Sequence, residues 1–179
     1  LPERLRGEGA IKGIGDLDFD ATTDVLALRG DPPRGEGVFS PVEGGLGGSA
    51  ELAALISQEY PQMAVGASCF PEIHPEAVSL DQDLSYLKTK VESGANFLIT
   101  QLFFDNAFYF DFVDSARSAG IDVPIIPGIM SISSYSAIER MAGLCKATIP
   151  EPLRESMLAL GGDTEAELEL GVAYASQQA

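Results

Sequence analysis

The chain has 179 residues, 45% of them apolar and 21% charged, with a formal net charge of −16; this composition gives a globular protein with one sizeable core and excludes general disorder. The acidic excess repels phosphodiester backbones and anionic head groups, which argues against nucleic-acid and membrane-surface partners and for a small ligand. No apolar run approaches the roughly 18–20 residues of a membrane span, and the N-terminal LPERLRGEGA lacks the apolar core of a signal peptide, so a cytoplasmic location is expected.

In chain order, a weak strand signal in AIKGIG (10–15) precedes four short apolar runs, at residues 24–28, 63–68, 96–101 and 123–128. None alternates strictly, as expected of parallel strands buried on both faces. Helical spacing fills the intervals. SAELAALISQEY (49–60) puts Leu52, Leu55 and Ile56 on one stripe behind an expected N-cap at Ser49. The next segment, 79–94, opens with Ser79 and Gln82 at capping-box spacing, aligns Leu80, Leu84, Leu87 and Val91, and stops at Gly94. Residues 106–120 carry Phe108, Phe112 and Val113 and close at Gly120, and 134–146 turn Ile138, Met141 and either Leu144 or Cys145 inward. A last helical stretch spans 164–179. Cys69 and Cys145 have no CxxC spacing and only His74 as an imidazole neighbour in the sequence, so both are expected as small buried thiols, and no metal site is expected.

Strand and helix alternate at a repeat of about 25–40 residues, the rhythm of a parallel α/β fold. Polar groups gather at the ends of several strands: Arg29 and Asp31, the stretch Cys69 to His74, and Gln101. A barrel collects such ends at one mouth, whereas an open doubly wound sheet places its site at a switch point and would show GxGxxG after the first strand. A TIM (β/α)8 barrel is therefore expected, as one domain over 1–179. Eight strands need about 250 residues, so the chain is expected to supply about half to two thirds of the barrel and to be incomplete at both ends.

ALRGDPP (27–33), FPEIHPEA (70–77) with DLSYLKTKV (83–91), and GANFLITQLFFD (94–105) with IIPGI (125–129) occur in the order and spacing that resemble the methylenetetrahydrofolate reductase family. The resemblance covers residues from about 22 to 175. It implies a flavin-binding barrel in which hydride is relayed from NADH or NADPH through FAD to 5,10-methylenetetrahydrofolate, giving 5-methyltetrahydrofolate for methionine biosynthesis. It also implies a homo-oligomer.

Residue by residue, the resemblance implies that Leu28, Arg29 and Gly30 contact FAD and that Asp31 is catalytic, near flavin and pterin, where a carboxylate stabilises the cationic 5-iminium form of the substrate. Phe70 and His74 would line the FAD. Asp83 and Lys90, seven residues and two helical turns apart, share a helix face from which they would reach the adenosine hydroxyls and the pyrophosphate. Gln101 would read the pterin edge, Phe104 would line the folate side, and Tyr135 would help hold nicotinamide or folate.

The sequence departs from the family pattern at four of these places: Phe70 where tyrosine is common, Tyr86 and Thr89 where asparagine and arginine are common, and Ala137 where glutamine is expected. The family's EFFPP-like strand, whose glutamate is the general acid, does not occur. These departures keep open a non-catalytic flavin- or folate-binding barrel or subunit of the same superfamily. A phosphate-binding barrel lyase or isomerase would need a strand-end lysine or paired carboxylates, and no such lysine is present.

Overall fold

A computed structural model describes residues 44–179 and, before them, the backbone of two short strands, β1 (Leu17–Asp18) and β2 (Ala27–Leu28). Then follow α1 (Ser49–Glu59), β3 (Gly66–Cys69), α2 (Leu80–Glu92), β4 (Phe97–Thr100), α3 (Asn106–Ser118), β5 (Ile125–Ile126), α4 (Tyr135–Cys145), α5 (Glu151–Ala159) and α6 (Thr164–Gln178). β3, β4 and β5 lie side by side in that order, all parallel, with Ala67 opposite Leu98 and Leu98 opposite Ile125. Helices α2 and α3 cross between them, and the result is a partial TIM-barrel-like α/β fold.

The run at 24–28 differs from expectation. Its described part, Ala27–Leu28, pairs antiparallel with Leu17–Asp18 rather than joining the parallel sheet. A partner close in the chain costs less closure entropy than the long crossover a parallel partner requires. The weak strand expected at 10–15 lies outside the described residues. β5 is shorter than the 123–128 run because Pro124 and Pro127 bracket it and neither can donate to a ladder.

Side-chain alternation divides the sheet into two faces. Leu98, wholly buried, joins Cys69, Leu84, Leu87, Phe112, Ala116 and Ile121 in a first core between the sheet and helices α2 and α3. On the other face Ile99 and Ile126 stand in register, 45% and 47% exposed. Burial on both faces is thus not met at these positions, because no second layer covers that face among the described residues. A second core, built from Phe104, Ile132, Ile138, Ala142, Ile149, Leu153 and Met157, joins α4 and α5 to the loops after β4 and β5.

Local signals account for most helix ends. Ser79 caps α2, its Oγ accepting from the Gln82 amide, while the Gln82 side chain accepts from the Val78 amide. Asp105, Ser134 and Asp163 cap α3, α4 and α6 in the same manner. At α1 the cap is Gly48 rather than Ser49: the Glu51 carboxylate reaches back to the Gly47 amide at 2.7 Å, and Ala50 and Ala53 are its buried residues, with Leu52, Leu55 and Ile56 half-buried. In α4 the inward residues are Ile138, Ala142 and Cys145, while Leu144 is exposed and Met141 half-buried. Cys69 and Cys145 are both buried. Helix α5 was not anticipated; its signal is the PEP sequence at 150–152, which sets the dihedrals of a first turn and withholds no needed donor.

Candidate functional site at the carboxyl ends of the strands

Three loops leave the carboxyl ends of β3, β4 and β5, and short-range bonds fix them against one another. The Gln101 amide donates to the Cys69 carbonyl at 2.7 Å, which ties the end of β4 to the end of β3. The Gly128 amide donates to Thr100 Oγ1 at 2.8 Å. Gly128 has to be glycine: a Cβ there would meet the Thr100 carbonyl oxygen at 2.3 Å.

The loop after β3 holds the FPEIHP motif. Phe70 and His74 fold their rings together edge to face, with centroids 4.4 Å apart. The His74 amide donates to Asp83 Oδ2 at 2.8 Å, and His74 Nδ1 accepts from the Glu76 amide at 3.1 Å. With Nδ1 as acceptor, the neutral imidazole carries its proton on Nε2, which makes Nε2 a donor. Between them Ile73 adopts φ 70, a left-handed conformation that costs a β-branched residue strain. Both Glu72 carboxylate oxygens accept from the Thr148 amide at 3.0 Å, so the loop is pinned to the link between α4 and α5. The end of helix α4 therefore meets the carboxyl ends of β3 and β4, and a cavity of about 10 Å³, the space of one water, remains between Phe70–Ile73, Gln101–Leu102 and Cys145–Ala147.

The structure assembles part of the residue set inferred from sequence. Phe70, His74 and Asp83 form one contact group at the β3 end. Asp83 and Lys90 do share the side of α2 that faces β3, but the Lys90 ammonium points inward: the residue is 6% exposed, Nζ donates to the Ser68 carbonyl at 3.0 Å and stands 5.3 Å from the centroid of the Tyr86 ring. The Thr89 hydroxyl is turned back onto the Ser85 carbonyl. Gln101 sits half-buried on the rim with Oε1 accepting from the Leu102 amide at 2.8 Å. Phe104 is 2% exposed and packs in the second core, so its ring serves packing; what it offers the rim is backbone. Tyr135 opens α4; its hydroxyl accepts from Arg154 Nη1 at 2.9 Å and lies 3.3 Å from Glu139 Oε1. The Ala137 amide binds the Ser134 cap. Of Leu28 only the backbone is described, and Arg29, Gly30 and Asp31 lie outside the described residues.

Sequence reading missed the residues that brace this edge from α6. Glu167, 6% exposed, accepts from the Tyr135 amide at 3.2 Å, placing a carboxylate at the positive end of α4. A cavity of about 460 Å³ opens beside it, lined by Ser134–Ser136, Met157, Leu158, Gly161, Gly162 and Thr164. Though roomier than the strand-end cleft, it is shallow and mostly apolar, and its buried carboxylate is already bonded, so the convergent polar groups lie elsewhere. Glu72, Tyr174 and Gln178 complete the missed set. Each binds a backbone group some 70 positions away, a distance at which no periodicity or capping rule applies.

Comparison with known proteins places this arrangement. The family model described as methylenetetrahydrofolate reductase matches residues 18–179. A methylenetetrahydrofolate reductase (NADH) of Arabidopsis thaliana is 39% identical over 164 residues, covering 86% of this chain and 28% of the relative. A 5,10-methylenetetrahydrofolate reductase of Escherichia coli is 37% identical over 195 residues, covering 94% of this chain and 64% of the relative. A probable methylenetetrahydrofolate reductase (NADPH) of Caenorhabditis elegans is 38% identical over 148 residues, covering 82% and 22%. The chain thus spans from about a quarter to just under two thirds of the relatives it matches. Among solved structures, an uncharacterized protein from Clostridium thermocellum that binds two copies of 5-methyl-5,6,7,8-tetrahydrofolic acid superposes with a TM-score of 0.50 at 20% identity, over 69% of this chain and 44% of that one; at that identity the likeness speaks to the fold.

Proposed function

The chain belongs to the methylenetetrahydrofolate reductase family, and we propose that it forms the flavin- and folate-binding part of an enzyme that reduces 5,10-methylenetetrahydrofolate to 5-methyltetrahydrofolate with NADH or NADPH. The observation that carries this reading is the extent of the family match. It runs over 18–179 and so takes in every candidate residue from Leu28 to Tyr135. Relatives named for NADH and for NADPH match almost equally well, at 39% and 38% identity, so the donor is left to experiment.

FAD, when bound, supplies the two-electron relay between nicotinamide and folate. The donor set at the β3 end fits such a group: the His74 Nε2 proton suits a phosphate or ribose oxygen, the Asp83 carboxylate suits a ribose hydroxyl, and the Phe70 ring offers an apolar wall. Leu28, Arg29 and Gly30 join this set by their match to the family motif. Lys90 contributes its charge through the β3 end rather than by an open ammonium. On the folate side, the Gln101 carboxamide exchanges the Leu102 amide for the pterin edge, Tyr135 supplies an aromatic face, and the Asp31 carboxylate offsets the positive charge of the iminium form that accepts hydride.

One observation favours the second reading, a barrel that binds flavin or folate without catalysis. Thr89 is a neutral residue turned onto the Ser85 carbonyl, and the Lys90 ammonium is buried against the Ser68 carbonyl, so neither presents an exposed cation to a diphosphate. An absorbance spectrum of the full chain, taken before and after anaerobic NADH or NADPH, separates the two. A flavin band at about 450 nm that bleaches with nicotinamide and returns on adding methylenetetrahydrofolate supports the reductase. A band that does not bleach, or a protein that stays colourless with added FAD yet binds the folate, supports the binding barrel, and a protein that takes up neither removes both.

A further inference from the structure

The loop that carries Gln101 is held from a distance. It runs from Gln101 to Asp105, between β4 and α3, and two successive side chains in it, Phe103 and Phe104, are almost fully buried. Burying both rings draws the backbone inward, where its carbonyls need donors that no strand neighbour supplies. Helix α6 supplies them. The Tyr174 hydroxyl donates to the Phe104 carbonyl, and Gln178 Nε2 donates to the Phe103 carbonyl at 2.7 Å. The grip is reciprocal, since Asn106 Nδ2 donates to the Gln178 carbonyl at 2.9 Å.

Gly171, Tyr174 and Gln178 follow one another at spacings of three and four, a single stripe of the helix. Gly171 lets that stripe come close, because a Cβ there would meet the Ile132 carbonyl oxygen at 2.0 Å. Burial, and then the charge of Asp105, raise the Tyr174 phenol above its ordinary pKa, so it remains a donor at neutral and mildly alkaline pH. The near end of the loop is fixed by the Gln101 amide on the Cys69 carbonyl. Its far half is fixed by α6, two and three residues beyond Gln101.

We infer that Tyr174 and Gln178 are positioning residues for the folate side of the site: by holding the Phe103 and Phe104 carbonyls they set the direction of the Gln101 carboxamide. This rests on the proposed function. A carboxamide must be held to a fraction of an ångström and a few tens of degrees to donate and accept at once, and a loop freed at two anchors does not hold it.

The test is steady-state kinetics of the full chain carrying Tyr174→Phe, Gln178→Leu or both, with methylenetetrahydrofolate and, separately, with a small quinone as alternative acceptor for the same reductant. The double variant is expected to raise KM for the folate about tenfold, with quinone turnover within about twofold of the unaltered chain. Each single variant is expected to raise it about threefold, and these decide the matter if the double variant does not fold. Unchanged folate KM and kcat overturn the inference. A parallel fall in both reactions overturns it too, because that marks a general loss of structure. An unaltered chain that reduces quinone but not methylenetetrahydrofolate instead removes the proposed function, and the inference with it.

Discussion

The main-chain amide of His74 donates to the side chain of Asp83 at 2.8 Å, so the histidine loop after β3 and the first turns of α2 are a single unit. Asp83→Asn keeps the shape but removes the charge that strengthens this bond. A stability loss of about 1 kcal/mol is expected, together with weaker FAD binding by roughly tenfold. Urea titration and flavin titration check the two parts, and unchanged flavin affinity would separate Asp83 from the cofactor site.

Thr89 is exposed and its hydroxyl serves only its own helix turn. Thr89→Arg would place a cation on the exposed side of α2, next to the face that carries Asp83 and Lys90. Binding of FAD is expected to tighten severalfold at low salt, and the gain should shrink on raising salt to about 1 M, where the screening length is about 3 Å. A gain indifferent to salt would mean that the arginine acts by something other than charge.

Two helical glycines make opposite predictions. Gly171→Ala drives a methyl into the Ile132 carbonyl and should destabilise by about 2–4 kcal/mol, since neither backbone can yield. Gly143, on the open side of α4, has nothing within 4 Å of the added carbon; Gly143→Ala should stabilise by about 0.5–1 kcal/mol through helix propensity. Thermal unfolding of the pair provides its own control. Similar effects of the two changes would show that α6 does not dock as closely as described.

The Tyr174 phenol fixes the sign of one pH effect. Its pKa is raised above the ordinary 10.0 by burial and then by Asp105. The unfolded chain therefore ionises first, and the stability due to the half-buried phenol is complete below pH 10, then lost as pH climbs toward the folded value. Tyr174→Phe should lack this part of the alkaline decline. Urea midpoints measured from about pH 9 upward test it, and parallel curves for the two proteins would contradict it.

Ile73 holds φ 70 in the FPEIHP loop. Ile73→Gly removes the penalty of a β-branched residue in that region, and a gain of about 1 kcal/mol is expected. If the strain instead serves to aim the His74 ring, the same variant will lose FAD affinity as it gains stability. Measuring both on one sample distinguishes the cases.

The sequence by itself determined what depends on near neighbours. The caps at Ser79 and the stop at Gly94 are visible because a capping bond spans three residues, and α2 and α3 announce their buried stripes by spacing. The three parallel strands showed as apolar runs, and the order and spacing of ALRGDPP, FPEIHPEA with DLSYLKTKV, and GANFLITQLFFD with IIPGI pointed to the family. Where local signals compete, the reading slipped. Glu51 displaced Ser49 from the cap of α1, and the run at 24–28 became an antiparallel pair because its partner was close in the chain.

Only the tertiary structure decided which face each strand-end group presents. From sequence Lys90 is expected to reach a pyrophosphate, yet its ammonium turns in to the Ser68 carbonyl; Phe104 is expected to line the folate side, yet its ring lies in the core. The seam of α6 left no trace in sequence at all. Tyr174, Gln178 and Glu167 bond to backbone groups, and every residue except proline carries the same amide and every residue the same carbonyl, so the partner's identity leaves no mark. Those contacts exist only once the chain has closed on itself.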